Sequence, residues 1–367
     1  MTTLALAVMA VFLIGCGTGA GQEATAGGGQ GVEKTRRKSV RSEDLRQEAA
    51  GQEPAQNSEK RHAPAKKLRL FNMTLEGYPD AENVGVLIAD QRGYFAEAGF
   101  DVNVLAPIDS DNVAGYLATG SDVFGLLPLP QVVISREKQM PLVAIGSLTR
   151  RSAMAMIWPR ESGIGGLADL KGKTVAINGL SYEEGFLEAV LDEAGLSPFD
   201  VQVKSVSYGL VSALSKGRVD AILGSANVQG VELEALGLDP VVTPLRELGV
   251  PPYEQLVMTT RRNRLAGKSR WVHRFMSAVA RGTAAAIENP EAAAAAIVVA
   301  RQELALPAPS PKLAEAKVKA TLPSLARTAV MSPGRVTGLT EWMQEEELIR
   351  RAPSTAWFTN RYVQPGS

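Results

Sequence analysis

At 367 residues with 45% hydrophobic composition, the chain can bury one large core or two of ordinary size, and usual domain dimensions favour two. Its 39 Lys and Arg residues balance 39 Asp and Glu, so no net field draws in nucleic acid, and the sequence carries no RNA- or DNA-reading signature. One cysteine and two histidines form no cluster with the spacing of a metal site, and no Gly-rich phosphate motif points to a nucleotide.

The chain opens on an apolar run, Leu4 to Ile14, too short to span a bilayer but suited to the core of an export signal. The run ends in Leu13, Ile14, Gly15 and Cys16, which resembles the lipobox of bacterial lipoproteins. That resemblance implies a lipoprotein signal peptide over residues 1–16, lipidation of Cys16, and an extracytoplasmic protein anchored to the cell membrane. No Lys or Arg precedes the run, a departure from the usual signal pattern. Residues 17–67 hold only Val32, Val40 and Leu45 as branched aliphatics and no Phe, Trp or Tyr, the composition of a disordered linker. An exported chain with a single cysteine forms no internal disulfide, so its fold rests on its core.

From Leu68 onward, short β-type runs alternate with helical patterns, which predicts an α/β fold with largely parallel sheets. Strands are expected at 68–73, 101–106, 122–127, 142–148 and 153–158, with a helix from Val84 to Phe95. A second series has strands at 173–178, 201–206 and 219–224 and a helix near Tyr182 to Ala194, where Phe186, Leu187, Val190 and Leu191 make one apolar stripe. A strand over PVVTPL precedes the Pro251–Pro252 corner, and LVMTT at 256–260 reads as a return strand. Helices follow at Trp271–Ile287, Glu291–Arg301, Lys312–Ala329 and Arg335–Ile349.

This order of features resembles the type II periplasmic binding fold: two α/β lobes joined by two crossover strands that close on a ligand. The stretches EGYPDAENVGVLIADQRGYFAEAGFDVNVLAP (76–107), DLKGKTVAINGLSYEEGFLEAVLDEAGL (169–196), GRVDAILGSANVQGVELEALGLDPVV (217–242) and ELGVPPYEQLVM (247–258) resemble, in order and spacing, the proteins that bind pyrimidine precursors of thiamine. That branch is related to the sulfonate, taurine and nitrate binders and to the fungal pyrimidine-precursor synthases. The closing LTEWMQEEELIRR and AWFTNRYV are similar too. The resemblance implies lobe 1 over residues 68–158 and 256–363, lobe 2 over 159–255, and crossovers near Trp158–Ser162 and Pro251–Gln255. It also implies a monomeric, cofactor-free solute-binding protein that serves the permease and ATPase of an ABC importer. Asn83 departs from the family's frequent histidine, and Gln229 from its frequent glutamate.

In open α/β sheets, ligands bind beyond the carboxyl ends of strands, where helix starts present unpaired N–H groups. This points to Glu76, Tyr78 and Asn83 in the first lobe, with the Tyr78 ring able to stack on a flat heterocycle or simply to pack beside Pro79. In the second lobe it points to Gly179, Ser181 and Tyr182 after one strand, and to Asn227 and Gln229 after another. Ser181 and Glu184 also have capping-box spacing, and Asn227 suits a helix cap. Ser147 and Thr149 are weaker candidates, and Pro128 and Pro130 suit the start of a helix. An enzyme on the same fold is the alternative: a cofactor-free lyase would use a carboxylate such as Glu76 or Glu183. A relative of the fungal synthases would need a histidine and a cysteine-rich motif, whereas the two histidines here are His62, in the linker, and His273, which suits helix packing. A sulfonate or a riboflavin-type compound is the alternative ligand.

Overall fold

The computed structural model describes residues 68–363 apart from residues 268, 354 and 355. Cys16 and the expected signal peptide and linker lie outside the described residues. The chain begins with β1 (Arg69–Thr74), α1 (Val84–Gln91), α2 (Tyr94–Glu97), β2 (Phe100–Leu105), α3 (Val113–Thr119), β3 (Phe124–Pro128), α4 (Leu129–Glu137) and β4 (Leu142–Thr149). It continues through β5 (Met154–Pro159), β6 (Thr174–Ile177), α5 (Glu183–Glu193), β7 (Gln202–Ser205), α6 (Leu210–Ser215), β8 (Ala221–Ser225), α7 (Val231–Ala235) and β9 (Pro240–Pro244). It closes with β10 (Leu256–Arg261), α8 (Ser269–Glu288), α9 (Pro290–Glu303), α10 (Pro311–Thr321) and α11 (Pro333–Glu345).

These strands form two five-stranded sheets, ordered β2-β1-β3-β10-β4 and β7-β6-β8-β5-β9. In each, one strand runs against its neighbours: β10 pairs antiparallel with β3 and β4, and β5 with β8 and β9. Each antiparallel strand is the one that has just arrived from the other sheet. The first passage covers residues 150–153, ahead of the expected Trp158–Ser162, because β5 is hydrogen-bonded into the second sheet. The second passage joins β9 to β10, and Glu254 pins it. Fully buried, Glu254 accepts from Ser147 Oγ at 2.9 Å, from the Ser332 amide at 2.8 Å and from Arg335 at 2.9 Å, tying the passage to β4 and α11.

Strands covered on both faces read as continuous apolar runs, and β3 and β4 are buried at every position. The first lobe's core is aromatic: Phe71, Phe100, Phe124, Trp271 and Phe275 interlock, with Phe124 and Phe275 stacked at 4.0 Å between centroids. Each such ring contributes about 1.5–3 kcal/mol on burial. A second cluster runs from α4 through α11 to α5 and so joins the two lobes at their base, with Trp342 edge-on to Phe186 at 5.0 Å. Helix α8 crosses α1 so closely that a Cβ on Gly282 would lie 2.0 Å from the Gly85 carbonyl oxygen, a crossing that requires glycine.

Two expected helices differ from the structure. The span Val84–Phe95 is divided into α1 and α2 by a turn at residues 92–93. The span Lys312–Ala329 stops at Thr321, because Pro323 has no N–H to continue the ladder and the chain tightens into a 3-10 turn over Leu322–Ser324.

Candidate functional site

A cleft of about 370 Å³ opens between the carboxyl ends of the parallel strands of both sheets. Lobe 1 contributes the segment after β1. There Asp80 caps a 3-10 turn, Ala81–Asn83, that leads directly into α1. Asn83 is fully buried and ties this segment together. Its Nδ2 donates to Glu76 Oε1 and to the Tyr78 carbonyl, both at 3.0 Å, and its Oδ1 accepts from the Asp80 amide at 3.0 Å. Glu76, Tyr78, Asp80 and Glu82 are thereby presented to the cleft.

Lobe 2 contributes the segments after β6, β7 and β8. After β6, the buried Glu183 reaches back over the turn that precedes its own helix: Oε2 accepts from the amides of Gly179 at 2.9 Å and Leu180 at 3.0 Å, and Oε1 from Asn178 Nδ2 at 3.1 Å. Gly179 sits at φ +88°, and a Cβ there would press on the Ser205 side chain, so the position suits glycine alone. After β8, Ala226–Gly230 forms a π-helical turn, and Gln229 Oε1 accepts from the Ser225 amide at 2.7 Å. After β7, Tyr208 reaches across to lobe 1. Its ring stacks on Tyr78, and its hydroxyl meets Ser110 Oγ at 3.0 Å and the Pro107 carbonyl at 3.1 Å.

Three carboxyls face this space with their proton affinity raised. Burial is the main cause for each. Glu76 is pushed to about 8, aided by the nearby charges of Glu82 and Asp80 and opposed by the Asn83 bond. Its Oε2 has no hydrogen-bond partner among the described residues. Glu82 is pushed to about 7 against hydrogen bonds from Asn227 and Ser225, and Glu183 to about 7 against its three donors. Two cations also line the cleft among the described residues, and both are engaged. Lys317 bonds Asp80 at 3.1 Å and Glu232 at 2.9 Å, and Arg301 bonds Asp80 at 2.8 Å. Helix α10 thus touches both lobes.

Of the residues read from sequence, Glu76, Tyr78, Gly179, Tyr182 and Gln229 line the cleft. Asn83, Ser181 and Asn227 do not. Asn83 stands behind Glu76, and Asn227 is buried with its Nδ2 on Thr321 Oγ1 at 2.8 Å rather than capping a helix. Ser181 is exposed, its amide bonded to Asp111 across the cleft at 3.1 Å, and no side chain among the described residues caps α5, whose N-cap position is Tyr182. Ser147 and Thr149 are buried away from the lining, His273 lies on α8, Pro128 borders the cleft, and Pro130 opens α4. Glu82, Tyr208, Arg301 and Lys317 were not legible as site residues. The last two lie in helices more than two hundred residues from Glu76, and no local motif marks them.

Two mixed sheets, two passages and a cleft at the strand ends define an α/β clamp of the periplasmic binding protein type. The chain belongs to the NMT1/THI5 like family, whose model matches residues 80–293. It is 28% identical over 287 residues to a putative thiamine biosynthesis protein of Haemophilus influenzae, covering 77% of this chain and 88% of that one. It is 27% identical to a formylaminopyrimidine-binding protein of Halalkalibacterium halodurans, over 65% of this chain and 73% of that one. The fold matches the alkanesulfonate-binding protein of Xanthomonas axonopodis pv. citri bound to MOPS with a TM-score of 0.63 at 17% identity, over 80% of this chain and 99% of that one. No helix among the described residues is long and apolar enough to cross a membrane.

Proposed function

We propose that this protein is the extracytoplasmic solute-binding component of an ABC importer and that its cleft captures a pyrimidine precursor of thiamine, without chemistry of its own. One arrangement carries the reading: an aromatic ring from each lobe faces the cleft beside carboxyls that accept hydrogen bonds. A flat aminopyrimidine presents ring faces to Tyr78 and Tyr208 and N–H donors to Glu76 and Glu82. The relative named for binding formylaminopyrimidine supports the ligand class. In this reading Cys16 carries the lipid anchor, the protein acts as a monomer, and its partners are a permease and an ATPase.

A synthase reading has less support. The histidine that the family resemblance would place at residue 83 is replaced by an asparagine whose polar atoms are all engaged in holding the segment after β1. Closure of the clamp gains stability only from contacts the ligand makes with both lobes.

Calorimetric titration of the purified chain with 4-amino-5-hydroxymethyl-2-methylpyrimidine, its formylamino relative, riboflavin and an alkylsulfonate tests the ligand class. Saturable binding of a pyrimidine is expected. Binding of riboflavin alone would overturn the ligand and spare the clamp; turnover of the pyrimidine would overturn the binding-protein role.

A further inference from the structure

Carboxyls outnumber cations in the wall of the cleft. Among the described residues six carboxyls line it, those of Glu76, Asp80, Glu82, Asp109, Glu183 and Glu232, against the two cations Arg301 and Lys317. Both cations are already paired with carboxylates of the cleft wall. Lys317 is held between Asp80 and Glu232, and Arg301 is held by Asp80 and the carbonyls of Pro79 and Pro307.

A phosphate or sulfonate could instead use backbone donors, since the start of a helix offers unpaired N–H groups and a positive dipole end. In the turn that leads into α5, an 11-residue helix facing the cleft, the backbone donors of residues 179 and 180 are filled from within. The fully buried Glu183 carboxyl takes the amides of Gly179 and Leu180 and the amide group of Asn178, as a bound oxyanion would. Acceptor side chains occupy the neighbouring turns in the same way: Gln229 takes the Ser225 amide and Asp80 the Ala81 amide.

We infer that Glu183 is a specificity-determining residue: a resident carboxyl that fills the N–H cradle of the turn before α5, so that the cleft takes a neutral or protonated donor-bearing ring and rejects phosphorylated or sulfonated compounds. The identity of the ring rests on the function proposed above; the exclusion of oxyanions does not.

The test is calorimetry on the full chain with 4-amino-5-hydroxymethyl-2-methylpyrimidine, its phosphate ester, methanesulfonate and inorganic phosphate, repeated on Glu183→Ala and Glu183→Gln. The wild type should bind the ester and methanesulfonate about a hundredfold more weakly than the alcohol, or not at all. Glu183→Ala should gain at least about tenfold in affinity for methanesulfonate or inorganic phosphate, because it frees two amides. Glu183→Gln retains an acceptor on those amides and removes the charge, so it should gain less. Wild-type affinity for the ester within about threefold of the alcohol would overturn the inference. So would a folded Glu183→Ala with no gain; should that variant fail to fold, a Glu183→Gln without gain would overturn it equally. A wild type that binds no pyrimidine, with variants that gain oxyanions, would sink the pyrimidine reading and leave the anion barrier standing.

Discussion

The rings of Tyr78 and Tyr208, one from each lobe, stack with centroids 3.9 Å apart and planes 10° from parallel. A ligand ring gripped on both faces needs its neighbours about 7 Å apart, twice the optimal carbon–carbon contact of about 3.5 Å. The two tyrosines therefore close on each other in this structure, and a guest that enters between them must part the lobes at this rim.

Truncating Tyr208 removes one wall of that slot. Because the residue is 40% exposed, Tyr208→Ala should leave the melting temperature nearly unchanged while weakening pyrimidine binding about tenfold. Calorimetry and thermal melts on the same sample separate the two effects. Unchanged affinity would remove Tyr208 from the site.

Asn83 acts one layer back. Asn83→Ala strips one bond from Glu76, one from the Tyr78 carbonyl and one from the Asp80 amide, so it should cost about 2–3 kcal/mol in urea unfolding and weaken binding as well. Asn227→Ala should cost stability with a smaller loss of affinity, since Asn227 does not line the cleft but stands behind it, bonded to Thr321 on α10 and to Glu82.

Much of the fold was legible in the sequence because buried strands announce themselves: LVAIGSLT and AMAMIW are apolar on both faces. The same property hides sheet membership, and β5 reads alike in either sheet, which is why the first crossover lies earlier than the sequence suggests. In the site, Glu76, Tyr78 and Gly179 follow from strand ends, a local rule. The capping pattern S-Y-E-E is ambiguous, and the structure turns Glu183 inward while Glu184 stays exposed. Arg301 and Lys317 reach the cleft only through the packing of α9 and α10, which no local pattern encodes.

Protonation should set the stability of the ligand-free protein. Glu76, Glu82 and Glu183 rise from 4.5 to about 8, 7 and 7, so the folded state holds more protons than the unfolded one across this range. Their contribution is complete below 4.5 and is lost as pH rises through 7 to 8. Asp90, at about 6, acts with the same sign away from the cleft, so the variant comparison isolates Glu76. Glu76→Gln should unfold at higher urea than the wild type at about pH 8, by up to about 3 kcal/mol once cleft water is allowed for, and the gap should close near pH 5. A gap independent of pH would contradict the assignment.

Lys317 is buried between Asp80 of lobe 1 and Glu232 of lobe 2. Lys317→Ala leaves Glu232 without this partner and should cost about 3 kcal/mol. Lys319, two residues on, pairs with Glu315 at the surface, and Lys319→Ala should cost less than about 0.5 kcal/mol. Equal costs in parallel urea titrations would deny the cross-lobe role of Lys317.

A crystal structure of the chain grown with 4-amino-5-hydroxymethyl-2-methylpyrimidine puts the binding role to the sharpest trial. The ring is expected between Tyr78 and Tyr208, with its amino group hydrogen-bonded to Glu76 or Glu82. A pyrimidine bound outside the cleft, or a cleft whose two tyrosines stay stacked under saturating compound, would contradict that role.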